Sequence, residues 1–432
     1  MQYFSTNKKS SLTGFKEATI RGLAPDKGLY FPEHIPLLDQ SFIEGIDQFS
    51  NAEIAEKVIS PYVAGDIPAP ELKRIVEETV NFDIPLVPVT ENIFSLELFH
   101  GPTLAFKDIG ARFMSRCLGY FARETNRKVT VLVATSGDTG GAVADGFYDV
   151  DGVDVVILYP SGKVSSVQEK QLTTLGKNIH ALEVVGDFDD CQRMVKHVFA
   201  DEAMNKRFFL TSANSINIAR WLPQQFYYFF AWKQWADKGH PPVIAVPSGN
   251  FGNICAGMLA NRSGLPVSHF IAACNANDTV PGFLLTGTYN PKKAVATISN
   301  AMDVSDPSNF VRIMEMFGHN TGQLKEHLSS FSISDEQTKA TISRVLLQHQ
   351  YLLDPHGAVA FDALESYLHG REEKGIFLET AHPVKFYDVV EPITGKPVPV
   401  PSAVQEQLKK EKSATKIAAG ANNLVSFLEE LY

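Results

Sequence analysis

Twice along this chain a short β-branched run gives way to a glycine-rich loop and then to a segment of helical period, and that order leaves few folds open. The first unit begins at Val129-Thr-Val-Leu-Val-Ala134 and passes through Thr135-Ser-Gly-Asp-Thr-Gly-Gly141. It continues in a helical pattern to Tyr148, and the apolar run Val153 to Tyr159 follows. The second runs from Val243-Ile-Ala-Val246 through Pro247-Ser-Gly-Asn-Phe-Gly-Asn253 into a helical pattern ending near Ser263, then to a strand pattern at Phe270 to Cys274. Unbroken apolar runs read as strands covered on both faces, and strand, crossover helix and strand form the unit of a parallel sheet. The chain therefore reads as α/β, with its glycine loops at the carboxyl ends of strands, where open α/β sheets bind ligands. Its 432 residues exceed the roughly 250–300 at which a single core stops growing, so more than one domain is expected.

Residues 1–85 lack this alternation. They hold Gly22-Leu-Ala-Pro-Asp-Lys-Gly-Leu-Tyr-Phe-Pro32, a stretch that resists regular structure, followed by helical patterns at Glu53 to Val63 and Pro70 to Val80. This reads as a small N-terminal cap. Further helices are expected at Ser334 to Gln350 and Ala358 to His369, a strand at Gly375 to Thr380, and a C-terminal helical segment over 401–432 that closes with an amphipathic helix at Asn423 to Tyr432. A net charge of −10 argues against a nucleic acid or an anionic membrane surface held by bulk electrostatics, so any anion is caught locally. Cys117, Cys191, Cys255 and Cys274 are too sparse for a disulfide framework and form no C-x-x-C pair; no metal site is expected. The polar start from Met1 to Phe15 shows no secretory signal, and apolar runs are strand-length, which together imply a cytoplasmic protein without a membrane partner.

Lys107 lies in His100-Gly-Pro-Thr-Leu-Ala-Phe-Lys-Asp-Ile-Gly110, at the first turn of a helix whose stripe is Phe106, Ile109, Phe113, Met114, Cys117, Leu118 and Phe121. A helix start disfavours a cation, and apolar neighbours disfavour the ammonium further, so the amine is pushed toward its neutral, nucleophilic form. Such an amine captures carbonyl compounds, of which pyridoxal 5′-phosphate (PLP) is the commonest held permanently by enzymes. The loop Ser248 to Asn253 supplies backbone N–H groups for a phosphate, with neither the lysine of a nucleotide P-loop nor a G-x-G-x-x-G pattern. Thr135, Ser136, Gly137, Asp138 and Thr139 form a nest of hydroxyls and N–H groups suited to a carboxylate. Asn214 and Arg220, in Ser212-Ala-Asn-Ser-Ile-Asn-Ile-Ala-Arg220, offer a further anion site, and Lys163 a loop cation. Taken singly, each has an ordinary explanation as a turn, an N-cap or a solvated side chain. Together they provide a poised amine, a phosphate cradle and two anion sites in one chain.

These segments, with Thr380-Ala-His-Pro383, Gly22-Leu-Ala-Pro-Asp26 and Asn300-Ala-Met-Asp303, resemble the threonine synthase family in order and over nearly the whole chain. The resemblance implies a tryptophan-synthase-like PLP fold: two three-layer α/β domains with a small N-terminal extension at 1–85, a catalytic region at 86–400 with the smaller domain inserted at about 110–215, and the segment 401–432. It implies conversion of O-phospho-L-homoserine and water to L-threonine and phosphate by a monomer or homodimer. Carried over by position, Lys107 is the lysine that joins the PLP aldehyde, Gly249, Asn250, Phe251, Gly252 and Asn253 hold its phosphate, and Thr380 places a hydroxyl beside the pyridine nitrogen. Thr135 to Thr139 hold the substrate carboxylate, while Asn214, Arg220 and, more weakly, Lys163 bind the substrate phosphate. Lys27 stands where the family commonly has glycine. Rival readings keep the fold with another substrate, as in a serine or threonine dehydratase or a phospholyase. An NAD-linked oxidoreductase is disfavoured by the missing G-x-G-x-x-G, and a non-catalytic relative by the intact Lys107.

Overall fold

The computed structural model of the protein describes residues 1–125 and 128–431. In chain order its strands are β1 (Tyr3–Ser5), β2 (Tyr30–Pro32), β3 (Leu86–Pro88), β4 (Ile93–Glu97), β5 (Val129–Ala134), β6 (Val153–Pro160), β7 (Ile179–Val185), β8 (Leu210–Ser212), β9 (Val243–Pro247), β10 (His269–Cys274), β11 (Leu328–Ser332), β12 (Gly375–Glu379) and β13 (Thr415–Ala418). One sheet has the order β11-β10-β9-β12-β4-β3, parallel throughout except for the antiparallel edge strand β3. A second, wholly parallel sheet has the order β13-β7-β6-β5-β8. Both glycine loops begin where the two repeated units place them, after β5 and after β9. Every residue of β5 and β6 is buried, which is why their sequences are apolar without alternation.

The helix Lys107–Thr125 buries Ile109, Phe113, Met114, Cys117, Leu118 and Phe121 to 1% exposure or less, one stripe at helical spacing. Against it lies the N-terminal segment: Phe15 meets Phe113 and Phe121 with ring centroids 6.4 and 6.3 Å apart, and the Tyr3 hydroxyl donates to the Tyr62 carbonyl at 2.6 Å. Arg312, fully buried, donates to the Tyr30 and Ile216 carbonyls and lies 4.3 Å from the Trp221 ring. A guanidinium carries enough planar donors to clamp several carbonyls at once, so this one residue ties β2 to the helical region that carries Arg220. Lys27 adopts φ +68° in the turn closed by Lys27 N–H to Ala24 O, a left-handed conformation that glycine enters without cost.

The C-terminal segment corrects the sequence reading. Between helices Ser402–Lys409 and Ala421–Leu431 lies β13, which extends the second sheet beside β7, so the segment is not helical throughout. Its four residues Thr-Lys-Ile-Ala, mostly exposed at the sheet edge, carry no strand pattern to be read. Tyr432, the expected end of the last helix, lies outside the described residues. Among the described residues no helix is long and apolar enough to cross a membrane.

Where the Lys107 helix meets the helix Ile218–Trp221, a Cβ on Gly110 would come within 2.7 Å of the Arg220 backbone oxygen, which cannot swing aside. Gly110→Ala is expected to lower stability by about 1–3 kcal/mol through overpacking. Gly282→Ala, on a helix with open space around the added carbon, is expected to be neutral or slightly stabilising. Denaturant midpoints of the two variants check the contrast.

Candidate active site

Three neighbouring strands of the larger sheet, β9, β12 and β4, run parallel in matched register, with Gly375 opposite both Val243 and Ile93. Their carboxyl ends therefore deliver three segments to one edge. From β9 comes the loop Ser248–Phe251 and the helix Gly252–Arg262; from β12 comes Glu379-Thr380; from β4 the chain leads through residues 98–106 to Lys107. The last two are laced together: Phe106 N–H donates to the Thr380 carbonyl at 2.9 Å, His382 N–H donates to the Leu104 carbonyl at 3.0 Å, and Ala105 bridges Ala381. Lys107, the first residue of its helix, is thus fixed beside Thr380, which is 7% exposed.

The Lys107 side chain keeps 19% of its surface open, and its ammonium lies 4.7 Å from the Phe106 ring and 3.6 Å from Asp138 Oδ2. Burial among apolar groups pushes its pKa down; Asp138 pulls it up, and the charges of Lys385 and Arg220 push it down again. The net direction is toward the neutral amine that the sequence pattern anticipates. Asp108, next in the chain, accepts from the backbone N–H of Thr103 at 3.0 Å and from its hydroxyl, yet burial pushes its carboxyl up to about 6.

The loop after β9 holds the groups that a phosphate requires. Phe251 sits at φ +59° with its ring in the core against Phe310, leaving the backbone to face the loop. A Cβ at Gly249 would come within 2.6 Å of the Met302 Cα, so this position tolerates only glycine. Asn253, in the first turn of the helix, accepts from the Tyr228 hydroxyl through Oδ1, while its buried Nδ2 has no partner. An unsatisfied buried donor at a helix N-terminus costs free energy unless an anion answers it, and a phosphate is such an anion. Asn250 is spent within the protein, donating to Ser215 Oγ at 2.6 Å and accepting from Ser308 N–H at 2.7 Å, so it braces the loop against the Ser212–Arg220 segment. An aldehyde-bearing phosphate cofactor fits this set, with the amine of Lys107, the hydroxyl residue Thr380 and the Asn253 donor on segments that leave adjacent strands.

Arg220 is buried; its Nη1 donates to the Ala213 carbonyl at 2.5 Å, its Nε has no partner, and burial lowers its pKa to about 10. Asn214 is half-buried, and Asn217, rather than Asn214, caps the helix Ile218–Trp221. Lys163 is exposed in the loop after β6.

The nest after β5 is arranged differently from the expectation. The Thr135 hydroxyl accepts from Gly137 N–H at 3.0 Å and Gly140 N–H at 2.9 Å, so it and those two donors are consumed in shaping the loop. Gly137 at φ +142° makes the bend. Asp138 turns its carboxylate inward, accepting from Gln168 Nε2 at 3.0 Å and pairing with Lys385 at 2.9 Å as well as facing Lys107. Burial opposes its ionisation, but the Lys385 and Lys107 charges hold its carboxyl far below the usual range. A carboxylate in that position offers no donor to another carboxylate; the hydroxyls of exposed Ser136 and half-buried Thr139 remain for that purpose. Lys385, Gln168, Gln171 and Ser215 are site residues that sequence reading missed, since none stands out from its own local pattern.

Comparisons with known proteins identify the family of the chain. A family model described as "Pyridoxal-phosphate dependent enzyme" matches residues 85–378, one for "Threonine synthase N terminus" matches 2–80, and one for "Threonine synthase, C-terminal" matches 357–427. Threonine synthase of Serratia marcescens is 44% identical over 99% of both chains, and that of Escherichia coli 44% over 94% of both. The crystal structure of PLP-bound threonine synthase from Brucella melitensis superposes with a TM-score of 0.95 at 35% identity, covering 100% of this chain and 99% of that one.

Asp108 gives a titration check. Its folded pKa of about 6 lies above the unfolded value near ~3.9, so its contribution to stability is fully present below the unfolded value and is lost as pH rises through the folded one. Relative to Asp108→Asn, the unsubstituted protein is expected to lose on the order of 3 kcal/mol between those two values. Chemical denaturation of both proteins across that pH range measures the difference; parallel curves contradict it.

Proposed function

The chain belongs to the threonine synthase family of pyridoxal-phosphate-dependent enzymes, and from that premise we propose that it converts O-phospho-L-homoserine and water into L-threonine and phosphate, with Lys107 as its reacting amine. The observation that carries the reading is Lys107 itself, a half-buried amine biased toward neutrality and laced to Thr380 at the mouth of the larger sheet. Gly249, Phe251 and Gly252 give close backbone approach to the cofactor phosphate, Asn253 gives its unpaired amide, and Asn250 holds the loop in shape. Thr380 contributes a hydroxyl where a carboxylate would enforce a charged ring nitrogen. Bound there, PLP supplies an aldehyde for covalent capture of amines and a conjugated ring that takes up the electron pair left when a proton departs from the substrate carbon.

The residues of the chain do the rest. Lys107 Nζ, once freed, takes the proton from Cα and then one from Cβ, and returns a proton at Cγ after phosphate leaves with its bonding electron pair. Water then adds its hydroxyl at Cβ and Cα is reprotonated, which balances the substrate and water against threonine and phosphate. Arg220, whose Nε is unpartnered, and Asn214 are assigned to the departing phosphate. Lys163, exposed in its loop, is a peripheral candidate for the same anion. Ser136 and Thr139 face the substrate carboxylate, while Thr135, Gly137 and Asp138 shape that loop. We further propose the division into an N-terminal unit at 1–85, a catalytic region at 86–400 and a C-terminal segment, with the smaller sheet as an inserted lobe.

Incubation with O-phospho-L-homoserine is expected to yield threonine and inorganic phosphate in equal amounts; release of 2-oxobutyrate instead would identify a phospholyase. Lys107→Ala is expected to lower phosphate release at least about 100-fold. Arg220→Ala should reduce kcat/KM for phosphohomoserine by about 10- to 100-fold, the worth of a hydrogen bond to a charged group, with Arg220→Lys between the two. An unchanged kcat/KM in Arg220→Ala removes that residue from the site.

A further inference from the structure

Lys385 has no exposed surface, an unusual condition for an ammonium, and three acceptors surround it: Asp138 Oδ1 at 2.9 Å, the Thr103 carbonyl at 2.8 Å and Gln171 Oε1 at 3.0 Å. With its three donors occupied it has none left for a ligand. The three partners come from the segment leading into Lys107, the first residue of the helix Asp138–Phe147 and the helix Ser166–Thr173. Asp138 stands between the two lysines, with Oδ1 on Lys385 and Oδ2 at 3.6 Å from Lys107 Nζ. Without a counter-ion, a buried carboxylate at that distance would draw the Lys107 amine into a tight ion pair and hold a proton on it.

We propose that Lys385 is a positioning residue for Lys107: it binds Asp138 through the oxygen that does not face Lys107 and so leaves the Lys107 amine free to react. This rests on Lys107 being the amine that joins the cofactor. The groups acting on Lys107 from the elements around it are Asp138, Lys385 and Arg220, with the Phe106 ring below. Asp108, one residue on, is turned to Thr103. Gln168 donates to Asp138 Oδ1, the oxygen that Lys385 also binds, at 3.0 Å. Lys385 is the member of this set that both neutralises Asp138 and fixes the segment immediately before Lys107, through the Thr103 carbonyl. The juxtaposition of a fully buried ammonium, a two-faced carboxylate and a reactive amine has no use in holding the fold that apolar side chains would not serve as well.

The test reads the amine directly. Full-length protein freed of cofactor is treated with pyridoxal over a range of pH, reduced with borohydride, and the Lys107 peptide is quantified by mass spectrometry, giving the pH midpoint for adduct formation. Lys385→Met is expected to raise that midpoint by about one unit or more, because Asp138 then acts on Lys107 alone. Lys385→Arg is expected to keep it near the parental value. In Lys385→Met/Asp138→Asn, which leaves no uncompensated charge and guards against misfolding of the single variant, the midpoint is expected at or below the parental one. In active holoenzyme the acidic limb of the pH profile of kcat should move with it, upward in Lys385→Met. An unmoved midpoint in folded Lys385→Met, or a raised one in the double variant, overturns the proposal. Absence of any adduct at Lys107 in the parent would instead bring down the assignment of Lys107, and the role of Lys385 with it.

Discussion

Parallel pairing of β9, β12 and β4 is the constraint on which the site depends. Strands running the same way in matched register must end on the same edge, so the loop 248–251, Thr380 and the approach to Lys107 converge without any one of them being long. The short ladder between residues 104–106 and 380–382 then fixes the amine to within one backbone hydrogen bond of the strand end. Backbone constraints of this kind hold a reacting group more firmly than side-chain contacts, because the rigidity of the sheet is inherited by the residue attached to it.

Around that point the protein, acidic overall at −10, gathers buried cations. Lys107 and Lys385 face one committed carboxylate, Asp138, and the Arg220 charge also acts on Lys107, so the local field opposes the whole-molecule charge. Arg220 Nε and Asn253 Nδ2 are among the buried donors without a partner in the described residues. Buried polar groups are ordinarily satisfied, so donors left open beside converging segments are exceptions that a bound anion would answer.

Much of the site was legible because its chemistry leaves local marks. An amine at a helix start beside an apolar stripe is unusual in sequence, and glycines at strand ends announce close backbone approach, as the crowding of Gly249 by Met302 bears out. Asp138 shows the limit of such reading. In sequence it belongs to a polar nest, but whether a carboxylate faces a ligand or a lysine depends on what lies opposite, and its partner stands far along the chain at position 385. Thr135 likewise looks like a free hydroxyl until the loop folds around it.

The sequence by itself determined the α/β class, the two glycine loops and the helix of Lys107, since periodicity, turn chemistry and local charge act over a few residues. Only the tertiary structure decided the edge position of β13, the inward turn of Asp138 and the place of Lys385. Those outcomes rest on pairings between residues far apart in the chain, whose energies depend on burial and on distances across space, and neither is encoded in any local run of residues.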